Sequence, residues 1–187
     1  MNEKRQQILI IAGSIITGAS LLILFRKQIA TFLNFPLKAY FEAKTEEALL
    51  ELHPKFRNVA KRFLKEVEDK LGYTPIITDA GRTYNEAQAN QQSGTGVAMS
   101  YHLAPIGLAF DVNFKNEQGI PVLVKASSKT AWQPVVDIAK KYNLEWGGNF
   151  TNVAYDPVHF QYSYVVQGRK PSELLKLDRD SNGFIKI

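Results

Sequence analysis

The chain has 187 residues, a formal net charge of +5 and no cysteine. That length suits one globular domain with an appendage, and the lack of cysteine excludes disulfides, thiolate metal sites and thiol catalysis. Residues 1–44 carry six basic against two acidic side chains, and the remainder is nearly balanced, which argues against a nucleic-acid binder, whose charge concentrates on the folded domain.

Residues 8–25 form an uncharged run of 18, near the lower limit for crossing a bilayer, between Lys4-Arg5 and Arg26-Lys27. No small-x-small cleavage site precedes a polar mature start. Residues 1–27 therefore read as a retained single-pass anchor in the lipid bilayer rather than a cleaved leader. The basic residues on its far side do not favour an exported C-terminal domain. Residues 28–44 place Ile29, Phe32, Leu33, Leu37, Tyr40 and Phe41 near helical spacing around Pro36. They suit an amphipathic stem on the membrane surface and equally a helix packed on the following domain.

A helical pattern runs from Thr45 to Leu52. Another follows His53-Pro54, with Phe56, Val59, Ala60, Phe63, Leu64 and Val67 on one face up to Leu71-Gly72. Residues 73–78 read as a strand, 85–92 as a helix and 93–96 as a loop. Residues 106–114 and 119–124 read as strands joined by a polar turn. A helix is expected over 131–142, with Pro134 in its first turn, and a strand over 158–164. Helices followed by a strand cluster imply an α+β fold with an antiparallel sheet. The folded domain covers 45–175, followed by a tail over 176–187. Within that tail Asp178 to Ile185 mimics the start of a calcium loop that lacks its closing glutamate, and reads as an Asx/Gly turn. His53, before a proline at a helix start, suits capping or packing.

Two stretches carry chemistry: Ser100-Tyr101-His102 leading to Asp111, and Asp156-Pro157-Val158-His159-Phe160. Two imidazoles and a carboxylate bind Zn²⁺ and leave a fourth tetrahedral position open. Asp156 is close enough in sequence to His159 to stand beside a water there. Three ligands, an open position and a nearby carboxylate are what metal-assisted hydrolysis requires. Alternation along 108–112 points Asp111 and Ala109 to one face and Phe110 and Val112 to the other. Mn²⁺ and Co²⁺ also accept such N/O ligands.

Ser100-Tyr101-His102…Gly107-Leu108-Ala109-Phe110-Asp111 resembles the S-x-H…G-x-A-x-D signature of the zinc D-Ala-D-Ala carboxypeptidase and L-alanyl-D-glutamate endopeptidase family. Trp146-Gly147-Gly148-Asn149-Phe150 and Asp156-Pro157-Val158-His159-Phe160 resemble motifs of its endopeptidase branch, which includes bacterial cell-wall hydrolases and phage endolysins. Residues 77–83 with Glu86 and Gln88 are similar to the family segment bearing a catalytic-site arginine, and Leu52-His53-Pro54 to the opening of its domain. Asp111 follows His102 by nine positions, two more than the commoner family spacing, with the extra residues around Ala104-Pro105-Ile106. The aromatic residue usual just before the arginine is also missing.

The resemblance implies a D,D-peptidase or hedgehog-like zinc fold, with helices on one side of the sheet. It implies one Zn²⁺ on His102, Asp111 and His159, Asp156 as general base and Arg82 as stabiliser of the oxyanion. Ser100 is expected near the metal or substrate, or in a plain turn. Trp146 is expected in a pocket wall, or in the core. The implied substrate is the peptidoglycan stem peptide, cut as an L-Ala–D-Glu endopeptidase. The rivals are a D-Ala-D-Ala carboxypeptidase, a phage lysin with a releasable anchor, and a non-catalytic wall-peptide binder. A wall substrate implies a domain facing the periplasm or the cell exterior.

Overall fold

A computed structural model describes residues 38–94, 96–151 and 154–187. The expected span over residues 8–25 and the first part of the expected stem lie outside the described residues. Among the described residues no helix is long and apolar enough to cross a membrane. Residues 40–187 form one compact unit; of the other, residues 1–39, only 38 and 39 are described.

Residues 38–50 are helical (α1), with no break between the expected stem and domain. The second helix, α2 (Pro54–Leu71), starts where the His53-Pro54 pair predicts. Proline at the first helical position loses no intrahelical hydrogen bond. His53 Nδ1 accepts the Lys55 N–H at 3.1 Å, so Nε2 carries the proton and donates to the Ile185 carbonyl at 3.0 Å. Burial holds the His53 imidazole below its ordinary pKa, which keeps this neutral cap in place. Phe56, Ala60, Phe63, Leu64 and Val67 are buried along one face, and Gly72 closes the helix in the left-handed conformation.

The remaining elements are β1 (Thr74–Asp79), α3 (Tyr84–Gln92), β2 (Ala109–Lys115), β3 (Pro121–Leu123), α4 (Lys129–Lys141), β4 (Glu145–Trp146), β5 (His159–Gln161) and α5 (Pro171–Leu174). The sheet runs β1-β2-β5-β4, with β3 on the end of β2. Every pairing is antiparallel, as expected of this α+β fold.

Register decides what each face carries. Phe110 lies opposite Phe160, and Asp111 lies opposite both His159 and Asp79. Residues paired across strands share a face, and neighbours along a strand do not. The apolar face meets α2 and α4. Phe63 lies 5.1 Å from Phe160 and 6.2 Å from Phe110 between ring centroids, and Trp132 lies 6.0 Å from Phe114. The other face carries the carboxylates and the imidazole.

Several boundaries differ from expectation, and four of the differences stand out. β2 begins at Ala109, not at 106, because Gly107 adopts φ +56° and its carbonyl accepts the His53 N–H at 2.8 Å. A Cβ on Gly107 would stand 2.7 Å from that nitrogen, so residues 103–107 turn rather than extend. β3 is shortened because the Asn116 side chain accepts both the Gln118 and Ile120 N–H groups. Ser128 caps α4 by accepting the Ala131 N–H at 3.2 Å. Pro134 therefore falls in the second turn rather than the first, and the helix continues past it. Finally, β5 ends at Gln161, and residues 163–166 form a 3-10 turn.

Candidate metal centre

Three elements bring the ligands together. Asp111 and His159 are cross-strand neighbours in the centre of the sheet. His102 arrives from a turn that Ser100 closes, its Oγ accepting the His102 N–H at 2.9 Å. The Arg82 N–H donates to the His102 carbonyl, and the Ala104 N–H to the Arg82 carbonyl, each at 2.8 Å, tying this turn to the segment after β1. His102 is 3% exposed and His159 8%.

His102 Nε2 lies 3.0 Å from His159 Nδ1 and 3.3 Å from Asp111 Oδ1, and His159 Nδ1 lies 3.2 Å from the same oxygen. Bonds of ~2.0–2.1 Å to a tetrahedral Zn²⁺ put ligand atoms about 3.3 Å apart, so the triangle fits such an ion. The outward sides of the rings strengthen the fit. His102 Nδ1 faces the Ala80 carbonyl at 3.3 Å and Asp79 Oδ1 at 3.4 Å, so it carries the proton. His159 Nε2 faces Gln161 Oε1 at 3.0 Å. The Gln161 amide is oriented by its NH₂ donating to Glu145 Oε2 at 2.7 Å. With protons on the outward nitrogens, the inward nitrogens of both imidazoles stand beside a carboxylate, where they bind a cation, either a metal ion or, on His102, a proton.

Electrostatics agree. Burial alone would lower the His102 pKa, but Asp111 and Asp79 outweigh it and push it up to about 9. Burial likewise opposes the Asp111 charge, yet the two imidazoles hold its carboxyl well below the usual range. A cation entering the triangle competes with a proton on His102 Nε2.

Around this triangle, the other residues singled out in the sequence take separate places. Arg82 is paired with Asp79, which itself flanks His102; burial opposes the Asp79 charge, and His102 and Arg82 nevertheless hold its carboxyl below the ordinary value. Asp156 Oδ1 is buried without a hydrogen bond and lies 3.2 Å from Lys125 Nζ. The Asp156 carbonyl accepts the His159 N–H at 3.2 Å. Trp146 is 4% exposed and packs 6.3 Å from Trp132, with its Nε1–H donating to the Pro157 carbonyl at 2.7 Å. It thus fixes the turn between Asp156 and His159 from below. A Cβ on Gly147 would stand 2.4 Å from the Asp156 carbonyl oxygen and 2.9 Å from His159 Cβ, which is why glycine is needed beside the indole.

Asp79, Glu145, Gln161 and Lys125 carried no assigned role in the sequence, although Asp79 lies within the 77–83 segment. Gln161 alone left a signal: two positions after His159 on a strand, it shares that residue's face. The others meet the centre only through strand pairing and loop placement.

A family model described as D-alanyl-D-alanine carboxypeptidase matches residues 93–162, the stretch that holds His102, Asp111, Asp156 and His159. The chain resembles that family. Among solved structures, the L-Ala D-Glu endopeptidase ChiX of Serratia marcescens is 20% identical with a TM-score of 0.53, over 68% of this chain and 92% of that one. A variant of the vancomycin-resistance D,D-pentapeptidase VanY from a VanB-type cassette, in complex with Zn(II), is 14% identical with a TM-score of 0.43, over 67% and 84%. No curated protein matches the chain. The first of these likenesses establishes a shared fold.

Proposed function

We propose that the protein is a zinc-dependent peptidase of peptidoglycan stem peptides, cutting the L-Ala–D-Glu bond and tethered to the membrane by residues 1–27, with its domain facing the periplasm or the cell exterior. The observation that carries the peptidase reading is the convergence of three lone-pair donors from His102, Asp111 and His159 with both imidazole protons directed outward. The endopeptidase choice draws on the fold shared with ChiX and on the Trp146-Gly147-Gly148 turn beneath Asp156. The description of the matching family model favours a second reading, a D-Ala-D-Ala carboxypeptidase built on the same centre.

His102, Asp111 and His159 would hold the zinc ion, which would supply the Lewis acidity that activates water and polarises the scissile carbonyl. Asp156 takes the proton of the attacking water at a carboxylate oxygen and returns it to the leaving amine. Arg82, held in place by Asp79, presents its guanidinium to the carbonyl oxygen as negative charge grows there. His102 and His159 keep fixed tautomers through Asp79 with Ala80, and through Gln161.

The test is digestion of purified peptidoglycan by the full-length protein, with chelator and with restored zinc, and products read by mass spectrometry. Asp156→Ala should retain zinc and lose at least ~10²-fold in rate, the low end of what a general base contributes. Fragment masses name the bond. Stoichiometric zinc binding with no cleavage of several wall types would leave a wall-peptide binder instead.

A further inference from the structure

Asp156 does not stand free beside the centre. Its buried oxygen faces the ammonium of Lys125 at 3.2 Å, and the Lys125 side chain is 64% exposed, in the loop between β3 and α4. Ser127 shapes that loop: its Oγ accepts the Val124 N–H at 3.1 Å, and its carbonyl accepts the Tyr155 hydroxyl at 3.1 Å. The loop bearing Lys125 is thereby fastened to the residue preceding Asp156.

Next to this pair a shallow cleft of about 480 Å³ is lined by Ser127, Lys129, Gly148, Phe150 and Tyr155 among others. It adjoins the metal centre, because the Phe150 ring lies 5.5 Å from that of His159. Lys129 Nζ lies 5.7 Å from the Tyr155 ring. The cleft therefore has aromatic walls and one lysine on its lining, and the Lys125–Asp156 pair is formed by the chain neighbours of two further lining residues, Ala126 and Tyr155.

The two bonds considered above share one chemical feature. In each, the amine that leaves carries a carboxylate on its α-carbon: the terminal D-Ala in one case, and in the other D-Glu, which continues the stem through its side-chain carboxyl.

We infer that this cleft is the subsite for the leaving-side α-carboxylate and that Lys125 is the residue that selects it. The substrate carboxylate replaces Asp156 on the Lys125 ammonium. One exchange of ion-pair partners then both holds the substrate and frees the Asp156 oxygen. A lysine suits this task, since its ammonium is a mobile point charge on a flexible stem. Lys129 adds a second positive charge along the same wall. A substrate in which that carboxylate is an amide gains no such pair and leaves Asp156 engaged. This inference rests on the peptidase reading for its substrate, but its binding test does not require turnover.

The experiment uses the zinc-loaded full-length protein and two synthetic stem peptides that differ only in the carboxylate, free in one and a carboxamide in the other. Calorimetry reads binding and mass spectrometry reads cleavage. The wild type should bind the carboxylate peptide about tenfold tighter. Lys125→Gln should erase that preference without lowering zinc content. Lys65→Gln, the same charge change on an exposed side chain of α2, should preserve it. Equal binding of the two peptides by the wild type, or a preference surviving in the Lys125→Gln/Lys129→Gln double variant, overturns the subsite. Discrimination in binding with no zinc-dependent cleavage of either peptide sinks the peptidase reading alone. Cleavage of both at equal rate and affinity sinks only the subsite.

Discussion

The two faces of the sheet are built from the same strands and do opposite work. On one, Phe110, Phe114 and Phe160 interlock with Phe63 of α2 and Trp132 of α4. On the other, Asp111 and His159 meet His102 in a cluster whose ionic groups carry burial costs. A single residue step along β2 separates the two roles. The comparison teaches that the apolar face supplies the stability with which the polar face holds a charged cluster largely buried. Function and folding should therefore be separable by substitution on adjacent positions.

The sharpest way to break that separation is on the apolar side. Phe63→Ala removes a fully buried ring between Phe110 and Phe160 and should cost about 3–5 kcal/mol of stability. A urea midpoint close to the wild type would show that the aromatic seam is not what holds the sheet. Whatever fraction remains folded should still bind zinc.

On the polar side the complementary change is Gln161→Leu. It leaves the three ligands in place but removes the acceptor on His159 Nε2 and the donor to Glu145. Zinc affinity should fall about 10–100-fold, with little change in the melting temperature of the metal-free protein. Competition with a chromophoric chelator measures it. An unchanged affinity would mean that the imidazole is oriented by packing against Phe150 rather than by the amide.

A smaller effect probes how α2 and α4 are joined behind the sheet. Glu66 accepts hydrogen bonds from Lys70, Lys141 and Tyr142. Lys141 foremost, with Lys70 and Tyr142, holds its carboxyl down to about 2, against an ordinary 4.5. A depressed folded-state pKa gives stability that is present above about 4.5 and is lost as pH falls toward about 2. Glu66→Gln should remove that part of the acid dependence. Urea midpoints of variant and wild type that run parallel from pH 5 to pH 2 would sink the idea.

The sequence was most legible where local chemistry decides. The alternation through Ala109, Phe110, Asp111 and Val112 already assigned Asp111 to the face opposite the phenylalanines, and His53-Pro54 already marked a helix start. It was least legible where partners are distant. The late start of β2, after Gly107, depends on a hydrogen bond from His53, more than fifty positions away. The Glu145–Gln161–His159 chain exists only because β4 and β5 pair. Trp146 reads equally as core or as pocket wall until the indole is seen bonded to Pro157. The Asp79–Arg82 pair depends on where β1 bulges against β2.

The segment around Ala104-Pro105-Ile106, the two-residue excess over the commoner ligand spacing, has its own anchor. The Ile185 N–H donates to the Pro105 carbonyl at 2.8 Å, the Ile185 carbonyl accepts from His53, and Phe184 lies against Gly107. The turn that delivers His102 is thus finished by residues about 80 positions later, and non-local closures of that kind form slowly. A chain cut before residue 184 would therefore keep the strands and helices that carry Asp111 and His159 but lack the anchor of the turn that carries His102.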